Sequence, residues 1–154
     1  MKVEFVQPFL DAMRNVLSTM AQLEAIPNKP FLKTSDKAMG DVTGMVGMTS
    51  QRTKGSLAIS FTAPAIFHVA SRMLGENVQE LNETVADVVG EITNIVTGGA
   101  KKILSQKGYS FDMAIPTTVL GKGHTVYHRS NKPVIVVPFE TEVGNFFMEL
   151  CFDP

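Results

Sequence analysis

The stretch ETVADVVGEITNIVTGGAKKIL, residues 83–104, has the most regular hydrophobic pattern in the chain. Large apolar residues recur in it every three or four positions, which places them on one face of an α-helix. The pattern predicts a long helix from about residue 83 to residue 107, ended by Gly108. The apolar face of this helix consists of Leu81, Val85, Val88, Ile92, Ile95, Gly99 and Ile103.

The opposite face of the predicted helix carries a polar stripe. Asp87, Glu91 and Asn94 follow one another in steps of four and three residues, so their side chains share one face. The same spacing continues to Gly98 and Lys101. A carboxylate and a carboxamide are thereby held side by side on a rigid, exposed helix face. This arrangement predicts a surface that can enter the active site of another protein.

Two features distinguish the stripe from an ordinary solvated helix face. Asn94 is a poor helix former in the middle of a helix, and Gly98 and Gly99 each cost about 1 kcal/mol relative to alanine there. Gly99 lies on the apolar face, where tight helix–sheet packing explains it, whereas we interpret Gly98 as room for an outside partner. The tetrapeptide Glu-x-x-Asn is weak support by itself, because it recurs at residues 142–145 in a predicted turn.

The composition excludes several classes of protein. The chain has 154 residues, about one domain, and its 14 basic and 15 acidic side chains give a formal charge of -1. Nucleic-acid and anionic-membrane surfaces need a basic excess, so we expect neither partner. Cys151 is the only cysteine, which excludes an intrachain disulfide and a cysteine-based zinc site. Because the sequence has neither an apolar run of the ~20 residues that span a bilayer nor a signal-peptide core, a cytoplasmic location is predicted.

The rest of the chain alternates between helical and strand patterns. Apolar residues at helical spacing predict a first helix over residues 3–24 and a short helix over residues 63–74. Pro138 indicates that the strand containing it lies at a sheet edge or is bulged, because proline cannot donate to a strand ladder. The predicted strands cover residues 31–38, 42–50, 56–62, 109–114, 117–120, 132–139 and 145–152.

The order of these elements predicts a single α/β (α+β) domain over residues 1–154. A long helix followed by antiparallel strands occurs twice, over about residues 3–62 and 83–152, with the helix at 63–74 inserted between them. We interpret this order as a pseudo-duplicated antiparallel sheet with two long helices packed on one face.

The three histidines do not predict a metal site. His124 and His128 lie four residues apart, but glycines and a proline surround them, so the polar segment 121–133 is predicted to be a solvent-facing loop. His68, in the predicted short helix, is expected to be partly buried. Gly121-Lys122-Gly123 lacks the full phosphate-binding P-loop pattern, and the sequence has no Ser–His–Asp order typical of a hydrolase.

The polar stripe resembles a known family signature. Asp87-x3-Glu91-x2-Asn94, the following Gly-Gly-Ala and then Pro116 are similar to the signature helix of the CheC/CheX family of chemotaxis phosphatases. Residues 95–115 separate Asn94 from Pro116, one residue fewer than the spacing associated with the family. Since the first helix lacks a second copy of the pattern, the chain resembles the single-motif CheX type rather than the two-site CheC type.

This resemblance implies a hydrolase of two-component signalling, which accelerates hydrolysis of the aspartyl phosphate on a CheY-like response-regulator receiver. It implies that Asn94 orients the attacking water and that Glu91 pairs with a lysine of the receiver. The receiver supplies its own divalent cation, such as Mg²⁺, so this chain is expected to bind no metal or cofactor. A homodimer, formed by pairing of edge strands, is also implied. The residues placed in the partner-binding surface are Asp87, Gly98, Lys101 and Pro116.

Two other functions fit parts of the pattern. A noncatalytic module of the same fold would bind a receiver or a flagellar-switch protein without accelerating hydrolysis. A hot-dog-type thioesterase also wraps a long helix in antiparallel strands. That fold has one dominant helix rather than two, however, and its acidic residue faces a buried acyl pocket.

Overall fold

The computed structural model describes residues 3–51, 53–128 and 130–153 of the chain. Its helices are α1 (Val3–Ala21), α2 (Ala63–Leu74) and α3 (Glu83–Gln106). Its strands are β1 (Ile26–Pro27), β2 (Phe31–Leu32), β3 (Val42–Thr49), β4 (Lys54–Phe61), β5 (Asp112–Met113), β6 (Thr117–Leu120), β7 (Ile135–Thr141) and β8 (Gly144–Asp153). In the described ranges, none of the helices combines the length and the apolar character that crossing a membrane requires.

The long elements begin and end close to where the sequence pattern predicts. α2 has the predicted bounds, and α3 ends one residue before the predicted end. α3 begins at a cap, since the Asn82 side chain accepts a hydrogen bond from the backbone N–H of Val85. α1 ends at Ala21 rather than near Glu24, because Gln22 takes a positive φ of 49° that a right-handed helix cannot continue.

The strands form one antiparallel sheet. Its order is β1–β7–β8–β4–β3–β5, with β2 also paired to β7 and β6 also paired to β3. The hairpins β3–β4 and β7–β8 meet where β4 pairs with β8, so each half of the chain contributes a long helix, two short strands and a long hairpin. The predicted class, α/β with an antiparallel sheet and helices, is therefore confirmed. The single domain and the duplication of residues 3–62 and 83–152 stay predictions.

The short strands differ from the prediction. The predicted strand 31–38 shortens to β2, the predicted strand 109–114 shortens to β5, and β1 was not predicted at all. Such strands form because β7 and β3 offer backbone groups at the sheet borders, and two residues are too few to show a period-two pattern of their own. The Lys33 N–H still donates to the Val134 carbonyl oxygen at 2.9 Å, and residues 34–38 then cross the face of the sheet, where Lys37 forms an isolated bridge with Thr125.

Pro138 marks neither an edge nor a bulge, contrary to the prediction. β7 pairs residue for residue with β8 on one side, where Pro138 opposes Phe147, and with β1 and β2 on the other. The carbonyl oxygen of Pro138 accepts a hydrogen bond from the Asn28 N–H at 2.8 Å. Because the N and O atoms of a strand residue point to the same side, the missing N–H of Pro138 faces the short strands and leaves the β8 ladder intact.

The helices cover one face of the sheet, as predicted. Alternate strand side chains point towards them and form the core, in which Phe139 and Phe146 stack with ring centroids 4.6 Å apart. α1 and α3 approach closely at Gly99, where an added Cβ would lie 3.2 Å from the Ala12 Cβ. Gly99 therefore serves close packing as predicted, although its neighbour is a helix rather than the sheet.

The second face of the sheet is covered by loops rather than by helices. Segments of the β2–β3 and β6–β7 loops lie over it and are tied to each other, since the Ala38 N–H donates to the His124 carbonyl oxygen at 2.9 Å. The face beneath them is unusually polar for an interior. Its buried polar residues are Thr43, Ser60 and Glu149.

Candidate functional site

The polar stripe of the sequence lies on the solvent side of α3. Asp87, Glu91, Asn94, Gly98 and Lys101, which we call the α3 ridge, are all exposed. Within the described part of the chain, neither the sheet nor α1 covers the ridge, so its side chains are open to another molecule. The side chains on the other side of the helix are buried, and they include Val85, Val88, Val89, Ile92, Val96 and Ala100.

The ridge presents two polar groups that no other described residue engages. No hydrogen bond or ion pair within the described residues involves the side chain of Asn94 or that of Glu91. The backbone is tied more firmly, since the Thr97 hydroxyl donates to the carbonyl oxygens of Asn94 at 2.9 Å and of Thr93 at 3.0 Å. A rigid helix thus carries a carboxylate and a carboxamide one turn apart, and neither pairs with another side chain in the described ranges.

α3 is seated directly on the sheet beneath the ridge. Gly44 in β3 lies under the helix, and an added Cβ there would overlap the Thr93 hydroxyl and come within 3.1 Å of the Val89 side chain. The Thr93 hydroxyl donates to the Val89 carbonyl oxygen at 2.7 Å. Because strand backbone and helix touch at this point, close packing determines the height of the ridge above the sheet.

Pro116 comes beside the ridge through the pairing of β6. A Cβ added at Gly90 would lie 3.6 Å from the Thr118 side chain, so β6 runs next to α3 at this turn. α3 runs in the same direction as β3, because its middle packs over Gly44 and the chain after it continues to β5 at the far end of β3. β6 is antiparallel to β3, so going back along β6 from Thr118 to Pro116 leads in the same direction as going forward along α3 from Gly90 to Asn94. The two distances are also about equal, because an extended residue spans roughly twice the length of a helical one. The half-buried Pro116 therefore lies level with Asn94.

Gly98 has no packing role within the described chain. An added Cβ there would meet no heavy atom within 4 Å. The cost of a glycine in a helix interior is therefore not offset by any close contact of this kind. The role of Gly98 in contact with an outside partner stays a prediction.

A second group of polar side chains, the buried polar cluster, lies on the other face of the sheet and consists of Lys33, Ser56, His128 and Glu149. The Glu149 side chain is fully buried, and its Oε1 accepts hydrogen bonds from Lys33 Nζ at 2.8 Å and from His128 Nε2 at 3.0 Å. With Nε2 donating to the carboxylate, Nδ1 of a neutral ring accepts from the Ser56 hydroxyl at 2.5 Å. The other carboxylate oxygen of Glu149 has no partner within the described residues.

His124 and His128 therefore do not face solvent, contrary to the sequence prediction. The side chain of His128 is 2% exposed, and His124 Nε2 lies 2.6 Å from the Thr43 hydroxyl oxygen. The segment is a loop as predicted, but it folds onto the sheet because buried polar groups such as Thr43 and Glu149 need hydrogen-bond partners. His68 is half-buried in α2, as predicted.

The contacts from Ser56 through His128 to Glu149 resemble the order of groups in a hydrolase triad. A triad needs a base that lies next to substrate, whereas the side chains of His128 and Glu149 are 2% and 0% exposed. Lys33 also neutralises the carboxylate directly. We interpret the cluster as the structure that fastens the loops to the sheet.

One signal in the sequence marks the buried polar cluster. Glu149 stands within the apolar strand FFMELCF, residues 146–152, where a charged residue is out of place. A carboxylate buried in such a strand needs a cationic partner. The sequence does not identify that partner, because Lys33 and His128 lie 116 and 21 residues from Glu149 along the chain.

A cleft of about 1320 Å³ is lined by no residue of the α3 ridge or of the buried polar cluster. Phe5, Phe152, Lys132 and Tyr109 are among its lining residues. The Tyr109 hydroxyl donates to a Glu4 carboxylate oxygen at 2.7 Å, and this hydrogen bond raises the pKa of Tyr109. Within the described ranges, no three His, Cys, Asp or Glu side chains are grouped to hold a metal ion. We place the candidate site on the α3 ridge, because Glu91 and Asn94 are exposed there and pair with no other described residue.

Comparison with known proteins finds relatives that match nearly the whole chain. A family model described as chemotaxis phosphatase CheX matches residues 42–140. A CheC-like superfamily protein from Shewanella sp. PV-4 is 49% identical, with 100% of both chains covered and a TM-score of 0.94. The chemotaxis protein CheX from Vibrio vulnificus is 50% identical over 98% of this chain and 100% of its own, with a TM-score of 0.91.

A more distant relative was solved together with a partner. A chain of the CheX–CheY–BeF3–Mg²⁺ complex from Borrelia burgdorferi is 25% identical over 99% of this chain and 100% of its own, with a TM-score of 0.81. Among curated protein sequences, none matches this chain significantly.

Proposed function

We propose, since the chain belongs to the CheX family of chemotaxis phosphatases, that it accelerates hydrolysis of the aspartyl phosphate on a CheY-like receiver. The observation that carries this proposal is the exposed carboxamide of Asn94, which no group of the described chain engages. The complex of a relative with CheY supports a receiver of this kind as the partner.

In this reaction the main contribution of the chain is to position the attacking water. An aspartyl phosphate is reactive in itself, and hydrolysis is accelerated by holding a water molecule in line with the phosphorus atom. The carboxamide of Asn94 suits this role because its oxygen accepts a hydrogen bond from the water, its NH2 group donates one, and neither group titrates. The receiver holds the divalent cation, such as Mg²⁺, that neutralises the phosphoryl oxygens.

Glu91 is assigned to fix α3 over the phosphoryl group. It lies one helical turn before Asn94 and is exposed, so both side chains can enter the same site. A hydrogen bond between its carboxylate and the receiver lysine is charge-assisted and becomes stronger as the interface excludes water. The residues that border the pair, and that we assign to docking, are Asp87, Gly98, Lys101 and Pro116.

The dose of protein distinguishes catalysis from binding alone. If the chain is a phosphatase, substoichiometric amounts should accelerate the decay of a radiolabelled phospho-receiver in proportion to the protein added. A noncatalytic module of the same fold would change the decay only at stoichiometric amounts. Unchanged decay at every dose would reject the phosphatase proposal.

Glu91→Ala should mainly weaken the complex with the receiver. Loss of a hydrogen bond to a charged group costs about 1.5–3 kcal/mol, which raises Kd roughly 10- to 100-fold. The measurement is a titration against the receiver activated with BeF3 and Mg²⁺. Glu142→Ala is the matched control, because Glu142 is an exposed glutamate of the other Glu-x-x-Asn tetrapeptide, in the β7–β8 turn. The same Kd for wild type and Glu91→Ala would contradict the lysine pairing.

Gly98→Ala should have opposite effects on stability and on binding. The free energy of unfolding should rise by about 1 kcal/mol, because alanine favours the helix and its Cβ meets no atom within 4 Å. Receiver binding should weaken several-fold, because the methyl group occupies space assigned to the partner. Denaturant unfolding and the same titration measure the two effects. Gln106→Ala, at an exposed site at the end of α3 that does not follow the spacing of the ridge, should leave Kd unchanged.

Either result of that comparison is informative about Gly98. A stabilised Gly98→Ala variant with wild-type Kd would show that the receiver does not use the space at this position. A loss of binding shared by Gln106→Ala would point instead to a general change in α3.

Two further expectations, one from the family resemblance and one from the sequence itself, remain predictions. The resemblance implies the homodimer formed by edge strands, and the cysteine content and apolar pattern of the sequence predict the cytoplasmic location. The borders of the sheet, formed in the described ranges by β1 with β2 and by β5 with β6, are where such pairing would occur. Sedimentation of the purified protein measures its oligomeric state.

A further inference from the structure

Ile115 is the most exposed large hydrophobic residue in the described part of the chain. It is 90% exposed, whereas the next, Tyr127, is 68% exposed. Its backbone is restrained on both sides, because the N–H of Ala114 donates to the Gly47 carbonyl oxygen at 2.9 Å and Pro116 has a fixed φ. A single exposed apolar side chain is ordinary on a protein surface, so its position decides whether it has a role.

That position is beside the α3 ridge. β6 runs antiparallel to α3, and the two meet where a Cβ at Gly90 would lie 3.6 Å from the Thr118 side chain. Ile115 precedes Thr118 by three residues, so the two lie about 10 Å apart along an extended chain. The same distance along α3 from Gly90 is about seven residues. Ile115 is therefore level with the helical turn between Asn94 and Gly98.

We infer that Ile115 is the apolar anchor of the docking surface and packs against an apolar part of the receiver surface near, but not at, the phosphorylation site. This inference rests on the proposed function and adds to it the group that supplies affinity. The α3 ridge offers charged and amide groups and one glycine, with no apolar side chain to desolvate. Protein interfaces gain most of their affinity from a few apolar or aromatic side chains buried within a polar rim. Ile115 is the one large apolar residue of the short β5–β6 loop beside the ridge, and it is almost fully exposed.

The two parts of the surface should have separable effects on kinetics. Ile115 would contact the receiver away from the reacting atoms, so truncating it removes binding that is equal in the ground state and the transition state. Ile115→Ala should raise KM for the phospho-receiver, and Kd for the receiver activated with BeF3 and Mg²⁺, by roughly 10-fold or more. The value of kcat at saturating receiver should be unchanged.

Two further variants test the specificity of the effect. Ile115→Val retains most of the apolar side chain and should bring Kd back to within about fourfold of wild type. Tyr127→Ala is the matched control, because Tyr127 is also highly exposed but belongs to the loop that covers the other face of the sheet. It should bind the receiver like wild type. All three substitutions are at exposed sites, so thermal midpoints close to wild type are expected.

Each outcome bears on a different claim. The same Kd for wild type and Ile115→Ala would overturn the inference and leave the proposed function standing. A wild-type protein that binds the activated receiver without accelerating decay would overturn the phosphatase, and the Kd of Ile115→Ala would still decide the role of the anchor. A wild-type protein that does not bind its activated receiver would overturn both.

Discussion

The Asn94→Ala variant should lose stimulated hydrolysis of the phospho-receiver, with a fall in rate of about 100-fold or more. Without the carboxamide, the attacking water has no group from this chain to hold it in line with the phosphorus atom. Stability should be unaffected or slightly raised, because the Asn94 side chain makes no hydrogen bond within the described chain and alanine is the better helix former. Activity and folding are therefore expected to separate completely at this residue.

The measurement is the decay rate of radiolabelled phospho-receiver with and without each variant, alongside thermal unfolding. Asn145→Ala is the matched control, because Asn145 is an exposed asparagine that ends the other Glu-x-x-Asn tetrapeptide. It lies in β8, where it shares no helix face with a carboxylate, and it should keep the wild-type rate. A wild-type decay rate with Asn94→Ala would reject the water-orienting role.

Lys33→Met should have the largest effect on stability. Its ammonium group lies 2.8 Å from Glu149 Oε1, and the two side chains are 8% and 0% exposed. Methionine keeps the apolar stem but removes the charge, which leaves a buried carboxylate with only the His128 contact on the same oxygen. Breaking a buried pair in this way costs about 3–5 kcal/mol, a large part of the 5–15 kcal/mol that holds a typical domain folded. Denaturant unfolding at neutral pH measures the loss.

Controls can separate the buried pair from a general effect of losing a lysine. Lys29→Met removes an exposed lysine from the same part of the chain and should change the free energy of unfolding by no more than about 0.5 kcal/mol. Combining Lys33→Met with Glu149→Gln should recover part of the loss, because the uncompensated charge is then removed. Equal stability of Lys33→Met and wild type would contradict the buried pair.

Asn94→Ala and Lys33→Met should have opposite effects on activity and on stability. Asn94→Ala keeps a folded protein that no longer accelerates hydrolysis. Lys33→Met lowers the folded fraction, but the molecules that remain folded should retain the wild-type rate, because Lys33 lies on the face of the sheet opposite α3. Activity normalised to the folded fraction therefore distinguishes the α3 ridge from the buried polar cluster.

The long elements were the most predictable part of the fold. The helix now seen as Glu83–Gln106 and the strand pairs around Val42–Phe61 and Ile135–Asp153 are long enough for their periods of 3.6 and 2 to be recognised. β1, β2 and β5 have two residues each, and pairing with a neighbour rather than any local pattern holds them in the sheet. The prediction for Pro138 was wrong for a related reason, because the effect of a proline on strand pairing depends on which side of β7 its missing N–H faces.

The sequence by itself determined which side chains line the exposed face of α3, because helical periodicity is a local property of residues 83–104. Only the tertiary structure decided that Pro116 and Ile115 lie beside that face, and that Lys33 and His128 converge on Glu149. Those contacts depend on strand register and on the path of loops between distant residues, which packing of the whole chain selects and no short stretch encodes.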